Sequence, residues 1–382
     1  MSDKSKKKIV VALPSLARGG TETHLLNVLP KLSKDSFEAE LFVIHRGGEL
    51  EQAFADAGIK IIGPAVHGSK MMRRVAAFAL LLKKAWFGST NIFHFFLPEA
   101  YIIGGLATFF GKNKRRILSR RSLNNYQKER FSARLFEPLL HRRMNALIGN
   151  SQAVVDQLEK EVGSKKPLRL LYNGIPIPPD LSENAKVRAK KTLGETPDTL
   201  LFVIVANLIP YKGHADLLKS LAGIKEQLPE NWRLYCVGKD SGIQSNLEAL
   251  AHSLDIADQI VWTGEQSDVA RYWRAADIGV LCSLEEGFSN SLLEGMSFGV
   301  PMVVTKVGGN PEAVDDGTTG FIVPPSDPAS LGVKLQRLAA DADLRSTIGR
   351  AARLMVKQRF GLELCIKNYE VIYENVLDKS PA

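Results

Sequence analysis

Cysteine is scarce: Cys236, Cys282 and Cys365 are the only three in 382 residues, and they lie far apart among apolar neighbours. This excludes a disulfide-stapled secreted scaffold. No two of them have metal-ligand spacing, so they read as buried core thiols in a reducing compartment. Long apolar runs are missing too. No stretch approaches the ~20 residues that a spanning helix needs, which excludes a helical integral membrane protein. The lysines from Lys4 to Lys8 before Ile9-Val10-Val11-Ala12-Leu13-Pro14 have the order of a signal peptide, but neither its length nor its cleavage site. A first β-strand is the better reading. Together these absences place the chain in the cytoplasm, or as a peripheral protein on the inner face of the cytoplasmic membrane.

Two domains are the default for 382 residues and 42.0 kDa. Hydrophobic residues at 45% and charged ones at 24% are ordinary for a soluble globular protein. The net charge of +9 is unevenly spread: residues 1–175 hold 29 Lys+Arg against 14 Asp+Glu, the remainder 21 against 27. One basic cluster comprises Lys112, Lys114, Arg115, Arg116, Arg120, Arg121, Lys128, Arg130, Arg134, Arg142 and Arg143. A second segment, Met71 to Phe87, sets Arg73, Arg74, Lys83 and Lys84 around an apolar middle, with Trp86-Phe87 at its end. That pattern suits a helix in an anionic membrane interface, and equally a half-buried surface helix with solvated ends. No aromatic ladder or binding motif accompanies the basic residues, so nucleic acid is not expected as a partner.

Apolar strand-like runs alternate with amphipathic stretches throughout, the signature of parallel α/β structure. The first half places strands near Ile9–Leu13, Leu41–His45, Ile59–Ile62, Ile92–Phe96, Ile117–Ser119, Ala146–Gly149 and Leu168–Tyr172. After Asn173-Gly174-Ile175 come three prolines, Pro176, Pro178 and Pro179, which mark a semi-rigid linker. The second half restarts at Leu200–Ala206, followed by Arg233–Val237, Ile260–Thr263, Ile278–Cys282, Met302–Thr305 and Phe321–Val323. Two Rossmann-like α/β domains facing each other across a cleft follow, over residues 1–175 and 182–360. Residues 361–382 form a last helix that packs back on the first domain.

Glu286 and Glu294 stand eight positions apart across a strand-to-helix turn. A strand feeding a helix places the helix N-terminus, with its free N–H groups, at the sheet's carboxyl edge, where open α/β sheets bind anions. Carboxylates flanking such a site suit a ligand with both phosphate and hydroxyls, such as a sugar nucleotide. Two plainer readings stay open: Glu294 as the end of a capping box Ser291-Leu292-Leu293-Glu294, and Glu286 as solvent-facing charge. Gly19-Gly20 follows the first strand and lets backbone amides approach a ligand, or forms a simple turn. Lys212, set between Pro210 and Gly213, could meet a diphosphate or stand exposed. Glycine turns at Gly308-Gly309 and Gly317–Gly320 follow later strands of the same domain. His94 reads as a core histidine with a cleft role left open.

In their order and spacing, Leu208-Ile209-Pro210-Tyr211-Lys212-Gly213, Glu286-Gly287-Phe288-Ser289-Asn290, Leu293-Glu294-Gly295-Met296, Gly299-Val300-Pro301, Gly308-Gly309 and Gly317-Thr318-Thr319-Gly320 resemble the retaining glycosyltransferases of family 4, the group 1 enzymes of the GT-B fold. Gly19-Gly20-Thr21-Glu22 and Asn173-Gly174-Ile175 extend the resemblance over most of the chain. It implies that Glu294 holds the nucleotide ribose. It implies that Glu286 contacts the donor sugar as a catalytic residue, with Gly287, Phe288, Ser289, Asn290 and Leu293 alongside. Lys212 would hold the diphosphate, with Gly19, Gly20 and Asn207 completing the donor site and His94 a second catalytic candidate. No metal and no cofactor are expected, because lysine, amides and a helix N-terminus neutralise the leaving diphosphate. Three departures stand out: Asn207 where the family has arginine, Phe96 where many members have a second histidine, and Pro176 where an aspartate is usual.

The sequence therefore points to a retaining hexosyltransferase acting on a nucleotide-sugar donor. Its acceptor would be a glycan or glycolipid, such as a lipopolysaccharide or exopolysaccharide intermediate at an anionic membrane. The alternatives are a sugar-nucleotide epimerase on a similar scaffold and a non-catalytic protein that binds anions or membrane.

Overall fold

The computed structural model describes residues 6–65, 67–111, 114–123, 131–163, 166–179 and 182–378. Lys112, Lys128 and Arg130 of the basic cluster lie outside them. The described residues form two wholly parallel sheets. The first contains β1 (Lys7–Ser15), β2 (Phe37–His45), β3 (Lys60–Ile62), β4 (Ile92–Phe96), β5 (Arg115–Arg120), β6 (Ala146–Gly149) and β7 (Leu168–Leu170), in the order β3-β2-β1-β4-β5-β6-β7. The second contains β8 (Leu200–Val205), β9 (Trp232–Val237), β10 (Ile260–Gly264), β11 (Ile278–Leu281), β12 (Met302–Thr305) and β13 (Gly320–Val323), in the order β10-β9-β8-β11-β12-β13.

The strands read as unbroken apolar runs because helices cover both faces of a parallel sheet. On β1, Ile9, Val11 and Leu13 enter one core cluster while Val10 and Ala12 enter another. The chain divides into two units, one of residues 1–174 with 362–382 and one of residues 175–361. The closing helix, Leu362–Asp378, returns to the first unit. It buries Leu362, Cys365, Ile366, Tyr369, Ile372, Tyr373 and Val376 there, a stripe at helical spacing.

In each sheet the strand order reverses beside the unit's first strand, between β1 and β4 and between β8 and β11. A crevice opens at the carboxyl ends of the strands at such a point. In the second unit the loops bordering it are those after β8 and β11, which carry Lys212 and Glu286.

Asp277, just before β11, fixes the opposite, amino-terminal edge of the second sheet. Its carboxylate takes Lys186 Nζ at 2.6 Å, Lys190 Nζ at 2.8 Å and the Leu201 N–H at 2.9 Å, tying the Glu183–Thr192 helix to β8. Burial alone would raise its pKa, but the two ammonium groups outweigh it and hold the carboxyl below its ordinary 3.8. Asp277→Ala strands the buried Lys190 without its counter-charge and should cost about 3–5 kcal/mol in denaturant unfolding. Because the folded-state pKa is depressed, the contribution is full above pH 3.8 and lost as pH falls below it. The gap between wild type and Asp277→Ala should close at acid pH, and an unchanged gap there would contradict the assignment.

Candidate functional site

Three loops of the second unit converge on Glu286. From the β8 side, the turn Pro210–Lys212 ends at Gly213, whose φ is +76°. A Cβ there would lie 2.0 Å from the Cys282 carbonyl oxygen, so only glycine lets this loop seat on the end of β11. The Leu284 N–H donates to the Tyr211 carbonyl at 2.7 Å and joins the two loops. Across them, Lys212 Nζ lies 2.5 Å from Glu286 Oε1 and 5.4 Å from the centre of the Tyr211 ring. Ser283 Oγ donates to the same carboxylate oxygen at 2.8 Å. From the β12 side, Gly308 has φ +50°, and a Cβ on it would fall 1.8 Å from the Glu286 carbonyl oxygen. The Gly309 N–H then donates to the Gly287 carbonyl at 2.9 Å.

The helix Asn290–Ser297 begins beside this cluster and ends before Gly299, at φ +72°. Its cap is Ser289, whose Oγ accepts from the Leu292 N–H at 3.3 Å. The capping-box reading is therefore corrected. The helix starts two residues earlier than that box requires, which frees the Glu294 carboxylate from any capping duty. Desolvation dominates the Glu294 environment and raises its carboxyl to about 7, opposed in part by the Trp273 indole N–H. That indole nitrogen is buried and has no partner of full hydrogen-bond geometry.

The other expected donor contacts separate into backbone and side-chain roles. Phe288 is buried against Phe360, with ring centres 5.3 Å apart, and the Leu293 side chain is fully buried, so both fix the loop from beneath. The Asn207 side chain accepts from the Lys239 N–H at 3.2 Å and ties the loop after β8 to the loop after β9. Asn290 heads the helix.

In the first unit, Gly19 is the N-cap and Gly20 the first residue of the Gly20–Val28 helix that follows β1, beside the first sheet's switch point. A Cβ on Gly19 would meet Glu22 Oε2 at 2.5 Å, so the Glu22 carboxylate lies over this turn. The expectation that His94 is catalytic is corrected. Its side chain is wholly buried, with Nδ1 3.0 Å from the Tyr373 hydroxyl and Nε2 2.8 Å from Ser119 Oγ. Burial and the Arg121 charge lower its pKa to about 3. Both ring nitrogens are occupied, Nδ1 by the closing helix and Nε2 by β5, and His24 meets the closing helix likewise through Tyr369 at 3.0 Å.

Sequence reasoning missed Ser283, Trp273 and Leu97. The first two carry no local signal, since their partners lie on other segments or across a turn. Leu97, directly after β4 at the first unit's switch point, has φ +65°, a strained backbone for a leucine.

The sequence matches two family profiles in succession: glycosyltransferase family 4 over residues 18–177 and glycosyl transferases group 1 over residues 185–355. The chain belongs to the family 4, group 1 glycosyltransferases. The group 1 segment of this glycosyltransferase contains the whole Lys212–Glu286–Glu294 cluster. The family 4 segment contains Gly19, Gly20 and His94. One relative is the N-acetyl-alpha-D-glucosaminyl L-malate synthase of Bacillus anthracis, 28% identical over 227 residues; the match covers 59% of this chain and only 58% of that protein. Another is the D-inositol 3-phosphate glycosyltransferase of Streptomyces bingchenggensis, 24% identical over 90% of this chain and 82% of its own. The fold matches Anabaena HepE in complex with UDP-glucose at a TM-score of 0.84. The two chains are 21% identical, with 96% of this chain and 99% of HepE covered. The GT-B architecture of the two units is thereby shared.

The raised pKa of Glu294 gives a test of the site's electrostatics. A carboxyl raised from 4.5 to about 7 favours the folded state below pH 4.5 and loses that contribution as pH rises through about 7. Glu294→Gln cannot ionise. In urea unfolding without ligand it should gain on wild type between pH 5 and 8, by up to about 3 kcal/mol. A pH-independent difference would show that the carboxyl is not desolvated.

Proposed function

We propose that this glycosyltransferase moves a hexosyl unit from a nucleotide-sugar to a glycan or glycolipid acceptor with retention of anomeric configuration and without a metal. The acceptor would be a lipid-linked or polysaccharide intermediate at the cytoplasmic face of a membrane. The observation that carries the reading is the Lys212–Glu286 pair at the second unit's switch point, beside the desolvated Glu294. In this reading the pair is a placeholder. An arriving diphosphate takes Lys212 as its counter-charge and releases Glu286 toward the donor sugar, where Ser283 and Gly308 keep it aimed. Glu294, free of capping, accepts from the ribose hydroxyls. Lysine and backbone amides then stand preorganised where negative charge develops on the leaving diphosphate. Front-face attack by the acceptor hydroxyl breaks the anomeric C–O bond and forms the new one on the same side, the proton passing to the leaving phosphate. The basic first unit suits an anionic, membrane-borne acceptor. HepE, of like fold, has been captured with UDP-glucose, which makes that donor the first to test.

Titration calorimetry with UDP, GDP and ADP should identify one tight nucleotide. Glu294→Ala should weaken it at least tenfold, and undiminished affinity would remove the ribose assignment. Glu286→Gln should keep nucleotide affinity within about threefold while donor turnover falls at least a hundredfold. Wild-type turnover in that variant would overturn the catalytic role. Affinity should also rise with pH through about 7 more steeply in wild type than in Glu294→Gln, because the ionised carboxylate is the better hydroxyl acceptor.

A further inference from the structure

The helix Lys70–Phe87 of the first unit is built inside out. Its buried positions are Ala77, Leu81 and Ala85. Its large apolar side chains point outward instead: Met72, Val75, Phe78, Leu82, Trp86 and Phe87 are all exposed, Phe87 by 85%. A helix that merely covers a core in water has the reverse arrangement, and a contiguous exposed apolar face marks a partner surface.

The charges say which partner. The helix carries Lys70, Arg73, Arg74, Lys83 and Lys84 and no acidic residue. Arg74 is matched by Glu99 at 2.6 Å and Lys84 by Glu40 at 2.6 Å. Among the described residues, no carboxylate forms an ion pair with Lys70, Arg73 or Lys83, so the surplus at both ends is positive. A second copy docked through a two-fold contact would bring this face, with its surplus positive charge, against itself. Nucleic acid would meet an apolar centre where it needs cations. An anionic bilayer satisfies both features, taking apolar side chains into the acyl boundary and lysines among the headgroups. Beside the same face, a cavity of about 540 Å³ is lined by Phe42, Ile61, Ile62, Leu80 and Phe87, with Lys83 also in its wall. It offers an apolar tail a place next to a cation. No helix among the described residues is long and apolar enough to cross a membrane, so this contact is one of surface docking.

We infer that the Lys70–Phe87 helix docks the first unit on an anionic lipid surface, with its outward apolar side chains inserted and the adjacent cavity taking one acyl tail. The inference rests on the proposed function for its purpose, naming the surface on which a lipid-linked acceptor is met. Its test, however, requires no turnover.

The full chain should cosediment with vesicles of phosphatidylcholine and phosphatidylglycerol at least tenfold better than with phosphatidylcholine alone, and the advantage should shrink at 0.5 M salt. Brominated acyl chains should quench the fluorescence of wild type more than that of Trp86→Phe. Val75→Glu with Phe87→Glu changes two exposed positions, so circular dichroism should be unaltered while vesicle binding falls at least tenfold. Lys70→Glu with Lys83→Glu should remove the preference for anionic lipid. Wild-type vesicle binding in the Val75→Glu, Phe87→Glu double variant, or no binding by wild type, would overturn the inference. So would a self-association that this double variant abolishes without any lipid effect. Glu294→Ala should bind vesicles as wild type does, so a failed donor assignment leaves this result standing and the converse also holds.

Discussion

The Lys212–Glu286 ion pair is the interaction around which the loops at the second unit's switch point are arranged. Both side chains are mostly buried, 18% and 10% exposed, in a crevice between loops that leave neighbouring strands. A pair in such a place adds little net stability, because desolvating two charges offsets most of their attraction. What it does is hold both charges in place before any ligand arrives. Gly213 allows the lysine loop to reach the end of β11, Gly308 allows the β12 turn to lie on the Glu286 backbone, and Ser283 fixes the carboxylate's orientation. Removing either partner would leave a buried charge unmatched, so the arrangement accepts only an exchange of partner. A diphosphate offers Lys212 such an exchange.

The two glutamates of this edge show how position alone divides chemical roles. Glu286 sits where the Lys212 ammonium and the Ser283 hydroxyl both face it. Glu294, eight residues on, faces buried surroundings and the Trp273 indole, and its carboxyl rises to about 7. Such a group exchanges its proton near neutral pH and favours a ligand that returns the hydrogen bonds lost on burial. Ribose hydroxyls are ligands of that kind. Differences in surroundings of this kind let one fold assign different tasks to the same residue type.

The strands were legible because each is an apolar run closed by turn residues, and burial on both faces left no polar alternation to confuse the reading. Glu286, Glu294 and Lys212 were legible as a set because glycine and proline fix the turns that present them. Two details were not. The cap of the Asn290–Ser297 helix lies at Ser289 rather than Ser291, since two serines two positions apart satisfy the same local rule and only tertiary packing chooses between them. The role of His94 is not legible locally because its two partners, Ser119 and Tyr373, come from β5 and the closing helix. Nothing in the segment around β4 records that its ring will be fully hydrogen-bonded. Ser283 and Trp273 were invisible for the same reason.

The proposed donor crevice and the inferred lipid-facing helix would together account for the uneven charge of the chain. A crevice for a nucleotide-sugar must offer hydroxyl acceptors, which are carboxylates, and only enough positive charge to hold one diphosphate. In the proposed function Lys212 supplies it, and the second half can remain acidic overall. A surface that meets an anionic bilayer needs cations spread over an area far larger than a ligand, around side chains that can leave water. The first half's basic excess and the outward-facing Met72, Val75, Phe78 and Trp86 answer that need together. Neither would suffice alone: exposed apolar groups without charge would promote self-association, and lysines without an apolar face would be held only as strongly as the salt concentration allows.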